Sequence, residues 1–310
     1  MAQQMPPDRR AHSWALVVHD TARLIRRRFD VAIRDLGLTQ AKWRVLATLS
    51  RHPGLRQSEL AERLDIEKAP LGLALEWLEQ AGWIRRESDP QDRRARRVYL
   101  SEQSAPTLAL MEERFRGVET QYLRGFDESE VAGLLESLQA LRETLRQGDP
   151  APERPDTAPE TYLSVLFACS RVMIRRFDAR LAELGFTRAQ WMLLNTIEQH
   201  EGLRQTTLAD LTELGNATIG RIIDGLERSA WVERRVDPRD RRANRLHLSR
   251  RGRAMLASTR ERFETLHGNL ERALGPERHA NLLKRLGWIR QRLLEEAAHT
   301  AEARRAGVRA

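Results

Sequence analysis

A single cysteine, Cys169, stands in 310 residues, so no internal disulfide can form and nothing points to a secreted, stapled scaffold. No apolar run approaches the roughly 18 residues that a membrane span requires. The polar stretch from Met1 to Arg10 lacks the apolar core of a signal peptide. A soluble, cytoplasmic chain is expected. Catalytic signatures are missing too. There is no nucleophile elbow and no phosphate-cradling glycine loop with its lysine, and His200-Glu201 lacks the second histidine of a zinc-protease motif. No Cys/His cluster has metal-ligand spacing, so His52 and His200 read as cap or surface residues. The expectation is no enzyme, no cofactor and no metal.

What the chain has is positive charge and a repeat. Its formal net charge is +9 and its isoelectric point is near 10.6. Most of the excess is arginine, which suits forked contacts to phosphates and guanine edges. A polyanion is therefore the first partner to consider.

The repeat is of whole-domain length. Asp89-Pro90-Gln91-Asp92-Arg93-Arg94 returns as Asp237-Pro238-Arg239-Asp240-Arg241-Arg242, 148 residues later. Upstream, Leu36-Gly37-Leu38-Thr39 meets Leu184-Gly185-Phe186-Thr187, and Gly54-Leu55-Arg56-Gln57 meets Gly202-Leu203-Arg204-Gln205. Such duplication predicts copy one over 1–148 and copy two over 158–310. Between them, 149–157 is a Pro-rich linker. At about 3.1 Å per residue the whole seam from Gly148 to Pro159 spans on the order of 35 Å.

Each copy predicts the same elements. A long helix (about Ser13–Leu36; Tyr162–Leu184) ends at Gly37 or Gly185. Thr39 or Thr187 caps a second helix. A third runs over Ser58–Leu64 or Thr206–Leu214, and a fourth over Ala69–Gln80 or Ala217–Ser229. A basic hairpin follows, then a long helical tail broken once, at Asp127 by a capping-box restart and at Gly275-Pro276 by a stop and an N1 proline. The expected fold is mostly α with small β-hairpins: two winged helix-turn-helix domains whose surplus helices bury their apolar faces against each other.

These residues resemble the MarR family of bacterial transcription regulators, in a tandem version. The carriers are Leu-Gly-x-Thr-x-Ala-x-Trp, ending at Trp43 and Trp191, Leu-Glu-x-x-x-Trp, ending at Trp83 and Trp231, and the Asp-Pro-x-Asp-Arg-Arg wings. The resemblance implies a regulator of double-stranded DNA, a repressor or an activator, often released by a small-molecule effector or an oxidant. It also implies pairing through terminal helices, here within one chain as a pseudo-dimer, with further self-association left open. In the wings it implies that Asp92 orients Arg94, and Asp240 Arg242, for the minor groove.

The fourth helices differ between copies. In copy two, Ile219, Ile222, Ile223 and Leu226 form the core stripe, which leaves Asn216, Thr218 and Arg221 facing outward as a major-groove surface. In copy one the stripe is Leu71, Ala74, Leu75 and Leu78, and Pro70 and Leu73 stand where Thr218 and Arg221 do. Leu73 offers only apolar contact, to thymine methyls or in excluding water, and Trp77 is large for a groove wall. Phosphate contacts are expected from Lys68, Arg93, Arg96, Arg97, Arg241 and Arg245, and from Arg56, Ser58, Arg204 and Thr206 at helix N-termini. Copy two then reads bases and copy one anchors, on an asymmetric operator. Trp14, His19 and Trp43, with Tyr162, Phe167 and Trp191, are candidates to line an effector pocket, and Cys169 for redox sensing, although a lone buried cysteine is usually a small hydrophobe. The competing reading is a MarR-like interaction scaffold with weak or no specific DNA binding.

Overall fold

The computed structural model describes residues 13–64, 66–92, 95–147, 161–212, 214–238 and 240–307. The interdomain seam at 148–160 lies outside them, and with it the expected linker. By its contacts the chain divides into two compact units that do not follow the repeat: one comprises Leu16–Cys169 and Pro276–Ala310, the other Met1–Ala15 and Ser170–Gly275.

In the first unit, α1 (Ser13–Ala32) is followed by a separate 3-10 turn at Arg34–Leu36. The expected single helix to Leu36 is therefore interrupted: Gly37 takes φ 68° and its N–H closes back on the Arg34 carbonyl. Thr39 caps α2 (Gln40–Arg51) by accepting from the Lys42 N–H at 3.3 Å. Next come β1 (Leu55–Arg56), α3 (Gln57–Leu64), α4 (Lys68–Gln80), β2 (Ile84–Ser88) and β3 (Arg96–Leu100). The strands form one antiparallel sheet in the order β1-β3-β2, with Ile84 opposite Leu100 and Leu55 opposite Val98. Leu46, Leu49, Leu60, Leu71, Leu75, Leu78 and Val98 are all buried between helices and sheet.

The rest of this unit is helical: α5 (Ser104–Leu123), α6 (Glu128–Arg146), the first turns of α7 (Tyr162–Glu183), and α12 (Pro276–Gly307) from the end of the chain. The capping box expected at Asp127 is present, its carboxylate accepting from the Glu130 N–H at 2.8 Å. Helix α6 buries Leu134, Leu138, Leu141 and Leu145, and α12 buries Leu282, Leu286, Ile289 and Leu293. These are the same four positions of the repeat, and the two helices pack on each other. At about 1.5–3 kcal/mol for each fully buried aliphatic side chain, this seam is a main apolar store of the unit.

Equivalent bonds frame it. The Thr21 hydroxyl donates to the Leu286 carbonyl at 3.4 Å, and the Cys169 thiol donates to the Leu138 carbonyl at 3.4 Å. Thr21 and Cys169 are repeat equivalents, as are Leu286 and Leu138. Polar pairs then set one end apart from the other. Asp20, nearly buried, accepts from Arg290 at 2.5 Å and Arg23 at 2.7 Å, and the Tyr122 hydroxyl donates to Glu296 at 2.9 Å.

In the second unit, Thr187 forms a capping box with Gln190 at the start of α8 (Arg188–Gln199). Then come β4 (Leu203–Arg204), α9 (Gln205–Thr212), α10 (Asn216–Arg228), β5 (Val232–Asp237), β6 (Asp240–Leu248) and α11 (Arg250–Leu274). The sheet order β4-β6-β5 matches that of the first unit. Its core joins Leu194, Ile197, Leu208, Ile219, Ile223, Leu226 and Leu246, closed by Phe186 stacked on Trp231 at 4.2 Å. Strand β6 has nine residues where β3 has five, so this wing stays paired out to Asp237–Asp240.

Candidate nucleic-acid interface

The apolar stripe fixes which side of each fourth helix meets solvent. Ile219, Ile223 and Leu226 are fully buried, which leaves Asn216 and Arg221 exposed on α10 with Thr218 half-buried between them. The Arg221 side chain makes no hydrogen bond or ion pair to any described residue. Helix α4 is held by Leu71, Leu75 and Leu78 in the same register, with Lys68, Pro70 and Leu73 exposed. Trp77 departs from the outward position expected of it. Its ring lies 3.7 Å from where a Cβ on Gly37 would sit, with the Lys42 ammonium 3.1 Å from its centroid. The left-handed glycine leaves room for an indole that helical periodicity assigns to solvent. Burial pushes the Lys42 ammonium below its ordinary pKa.

Third-helix starts sit beside the fourth helices. Ser58 and Thr206 are exposed there, each one residue inside its helix. Gln57 and Gln205 come closer to the outward face: their amide nitrogens lie 3.4 and 3.5 Å from where a Cβ on Gly72 and Gly220 would sit. The signal for them was the Gly-Leu-Arg-Gln link itself, of which only the arginine was singled out.

Each hairpin is pinned by the buried acid of its Asp-Pro pair, Asp89 or Asp237. Asp237 is fully buried; its carboxylate accepts from Arg204 at 2.9 and 3.1 Å and lies 3.1 Å from Arg245 Nε. The same Arg245 donates to the Gly202 carbonyl at 3.0 Å. In copy one, Asp89 takes Arg56 at 2.6 Å, Arg97 at 3.0 Å and the Gln91 N–H at 2.8 Å, while Arg97 reaches the Gly54 carbonyl at 3.1 Å. The Arg56 hydrogen bond, followed by that of the Gln91 N–H, holds the Asp89 carboxyl far below the usual carboxylate range, against the opposing effect of burial. Arg56, Arg97, Arg204 and Arg245 thus brace the sheet, with roughly a third of each side chain, or somewhat more, still exposed. Asp240 is the outer partner, 3.7 Å from Arg204, and Asp92 is exposed, its carbonyl accepting from the Ala95 N–H. Arg96 is exposed on β3. Arg93 and Arg94, and the side chains of Arg241 and Arg242, lie outside the described residues.

Two winged units of this make, each with a braced hairpin beside an exposed fourth helix, can be set against known families. A model of the MarR family matches residues 38–95 and again residues 186–243, the same stretch of each repeat. The chain belongs to the MarR family. Solved MarR-type structures match about 40% of this chain each. The structure of MarR is 29% identical, covers 40% of this chain and 94% of its own, and has a TM-score of 0.37. The transcriptional regulator SlyA is 22% identical over 41% of this chain and 90% of its own, TM-score 0.39. A MarR regulator from Methanosarcina mazei Go1 is 24% identical over 40% and 88%, TM-score 0.38.

Within this MarR chain the aromatic candidates for an effector pocket are spread over separate packing environments. Tyr162 and Phe167 are buried in the helical part of the first unit; the Tyr162 hydroxyl donates to the Glu119 carbonyl at 3.3 Å, and Arg26 lies over the Phe167 ring at 5.0 Å. His19 is half-buried on α1, and Trp43 is buried in the winged core. Trp191 belongs to the second unit, edge-on to Phe177 at 5.0 Å. The Trp14 side chain is outside the described residues. Cys169 is fully buried on its helix-to-helix bond. Among the described residues no group of three His, Cys, Asp or Glu is placed to hold a metal, and no helix is long and apolar enough to cross a membrane.

Proposed function

We propose that this MarR-family chain is a non-enzymatic, double-stranded DNA-binding transcriptional regulator. It acts in the cytoplasm as a repressor, and its two copies serve as one intrachain pseudo-dimer on an operator. The observation that carries the reading is the outward face of α10, where exposed Asn216 and the unengaged Arg221 stand beside a hairpin whose strands are locked by Asp237. A guanidinium with no partner among the described residues, on a helix of that kind, suits the O6 and N7 acceptors of guanine, and the braced wing supplies a fixed backbone contact. The mutual packing of α6 and α12 supports pairing within the chain. A small-molecule effector, accommodated near the terminal helices, is part of the same proposal.

Genomic fragments selected by the purified chain test it. Selected duplexes should bind far more tightly than random DNA, with affinity falling steeply as salt rises. Arg221→Ala should cost about 1–3 kcal/mol of discrimination. A flat selection at moderate salt would instead favour the scaffold reading, for which the exposure of Leu73 is the one specific observation.

A further inference from the structure

Helices α4 and α10 span the same thirteen positions of the repeat, and the same register buries their core stripes. Their outward positions therefore correspond one to one: Lys68 with Asn216, Pro70 with Thr218, Leu73 with Arg221. The bracing behind them is alike as well, since Arg56 and Arg97 on Asp89 repeat Arg204 and Arg245 on Asp237. Whatever α10 is presented to, α4 is presented to its counterpart by the same frame, with a different chemistry at the surface.

That chemistry is apolar. Leu73 is 70% exposed, the most exposed of the large apolar side chains described. Trp77, folded over Gly37 under Lys42, leaves Leu73 to project without a cover. Next to it stand Ala69 and Pro70, both exposed and neither offering a side-chain donor or acceptor, while the exposed Glu76 lies one turn further on. In the major groove the one apolar feature on a base edge is the C5 methyl of thymine. The Ala, Pro and Leu part of this face, at a groove-facing register and with Lys68 at its start for phosphate, is complementary to that methyl.

We propose that α4 is a reader of thymine methyl groups, so that the operator is non-palindromic: a guanine-bearing half-site under α10 and a thymine-bearing half-site under α4. The copy expected to serve as an anchor thus reads a different letter. The proposal rests on the DNA-binding reading above and is tested with the full-length chain, in two steps. First, duplexes are selected from a random library by wild type, Arg221→Ala and Leu73→Arg. Second, thymines in each half of the wild-type selection are replaced by deoxyuridine, which removes only the methyl.

The expected selection is asymmetric. Arg221→Ala should relax its guanine half alone, and Leu73→Arg should turn the other half toward guanine. Deoxyuridine in the α4 half should weaken wild type about fourfold per contacted methyl, with little effect on Leu73→Ala and none from the α10 half. A palindromic selection with guanine in both halves, or indifference of wild type to deoxyuridine, overturns this inference while DNA binding stands; Leu73 would then be a surface for a protein. Failure of wild type to select any duplex overturns both readings. Leu73 is on the surface, so its variants keep the fold.

Discussion

Replacing Asp237 by asparagine tests how the second wing is held. Two contacts from Arg204, at 2.9 and 3.1 Å, and one from Arg245, at 3.1 Å, converge on one oxygen of a carboxylate with no exposed surface. Removing one partner of a fully buried pair costs about 3–5 kcal/mol. Here the guanidiniums are 43% and 37% exposed and can turn to water. The asparagine oxygen also retains one acceptor, so roughly 1.5–3 kcal/mol is expected, the worth of hydrogen bonds to charged groups. The loss should be local, read as faster native-state hydrogen exchange at the β6 amides from Arg245 to Leu248, with α8 and α11 little changed. Asp240→Asn is the control. That residue is half-exposed and lies 3.7 Å from Arg204, so its loss should cost under about 1 kcal/mol. If Asp240→Asn loosens β6 as much as Asp237→Asn, the buried acid is not the brace, and the account of the wing fails. The copy-one brace adds a pH signature. Asp89 has a folded pKa below its unfolded value, so its contribution is complete above about pH 4 and is lost as pH falls further. The protection factors at β3, which remove the intrinsic pH dependence of amide exchange, should therefore stay flat from neutral pH down to that region and fall only in stronger acid.

Glu119 should behave in the opposite sense. Burial raises its pKa, offset in part by hydrogen bonds from Thr161 and from the Leu163 N–H. The unfolded chain therefore loses this proton first, and stability falls as pH rises from about 4.3 through the folded pKa. Urea midpoints should show that decline in wild type and a flatter profile in Glu119→Gln; an equal slope in both would remove Glu119 as its source. Cys169 should resist a thiol reagent until the chain unfolds, because it has no exposed surface. Cys169→Thr, which copies the equivalent Thr21 and whose hydroxyl can donate to the Leu138 carbonyl in place of the thiol, should cost no more than about 1 kcal/mol, the net worth of one hydrogen bond; rapid labelling of the native chain would contradict the packing described.

Local features of the fold were legible in the sequence because their causes are local. Thr39, Thr187 and Asp127 each find their acceptor role three residues on, within the reach of a motif. The buried stripes of α4 and α10 follow from 3.6-residue periodicity, with Ala74 and Ile222 only partly covered at its edges. The wing braces were not legible. Asp89 and Asp237 bond arginines that precede them by 33 residues, and an Asp-Pro pair signals a turn whether or not its carboxylate is buried. Trp77 misled for a similar reason: helical phase places it outward, and only the space above Gly37 draws it in. Amphipathic tails predict that terminal helices must bury a face, but amphipathicity does not say against what. That α12 would join α6, and so enter the unit of copy one, is a property of the complete chain.

The seam between α6 and α12 has a consequence for numbers and for inheritance. In a regulator built from two separate chains such a seam dissolves on dilution, and every substitution in it strikes both sides at once. In the intrachain pseudo-dimer proposed above the two helices are tethered, so their meeting would be unimolecular and insensitive to how many copies of the protein a cell holds. Each side is also encoded once and can drift alone. The traces are present: Thr21 and Cys169 keep the same bond with different atoms, while the acid at Asp20, paired with Arg290, has no counterpart at Ala168. A fused pair is released from the mirror that binds a homodimer, and the divergence of Leu73 from Arg221 is what that release allows.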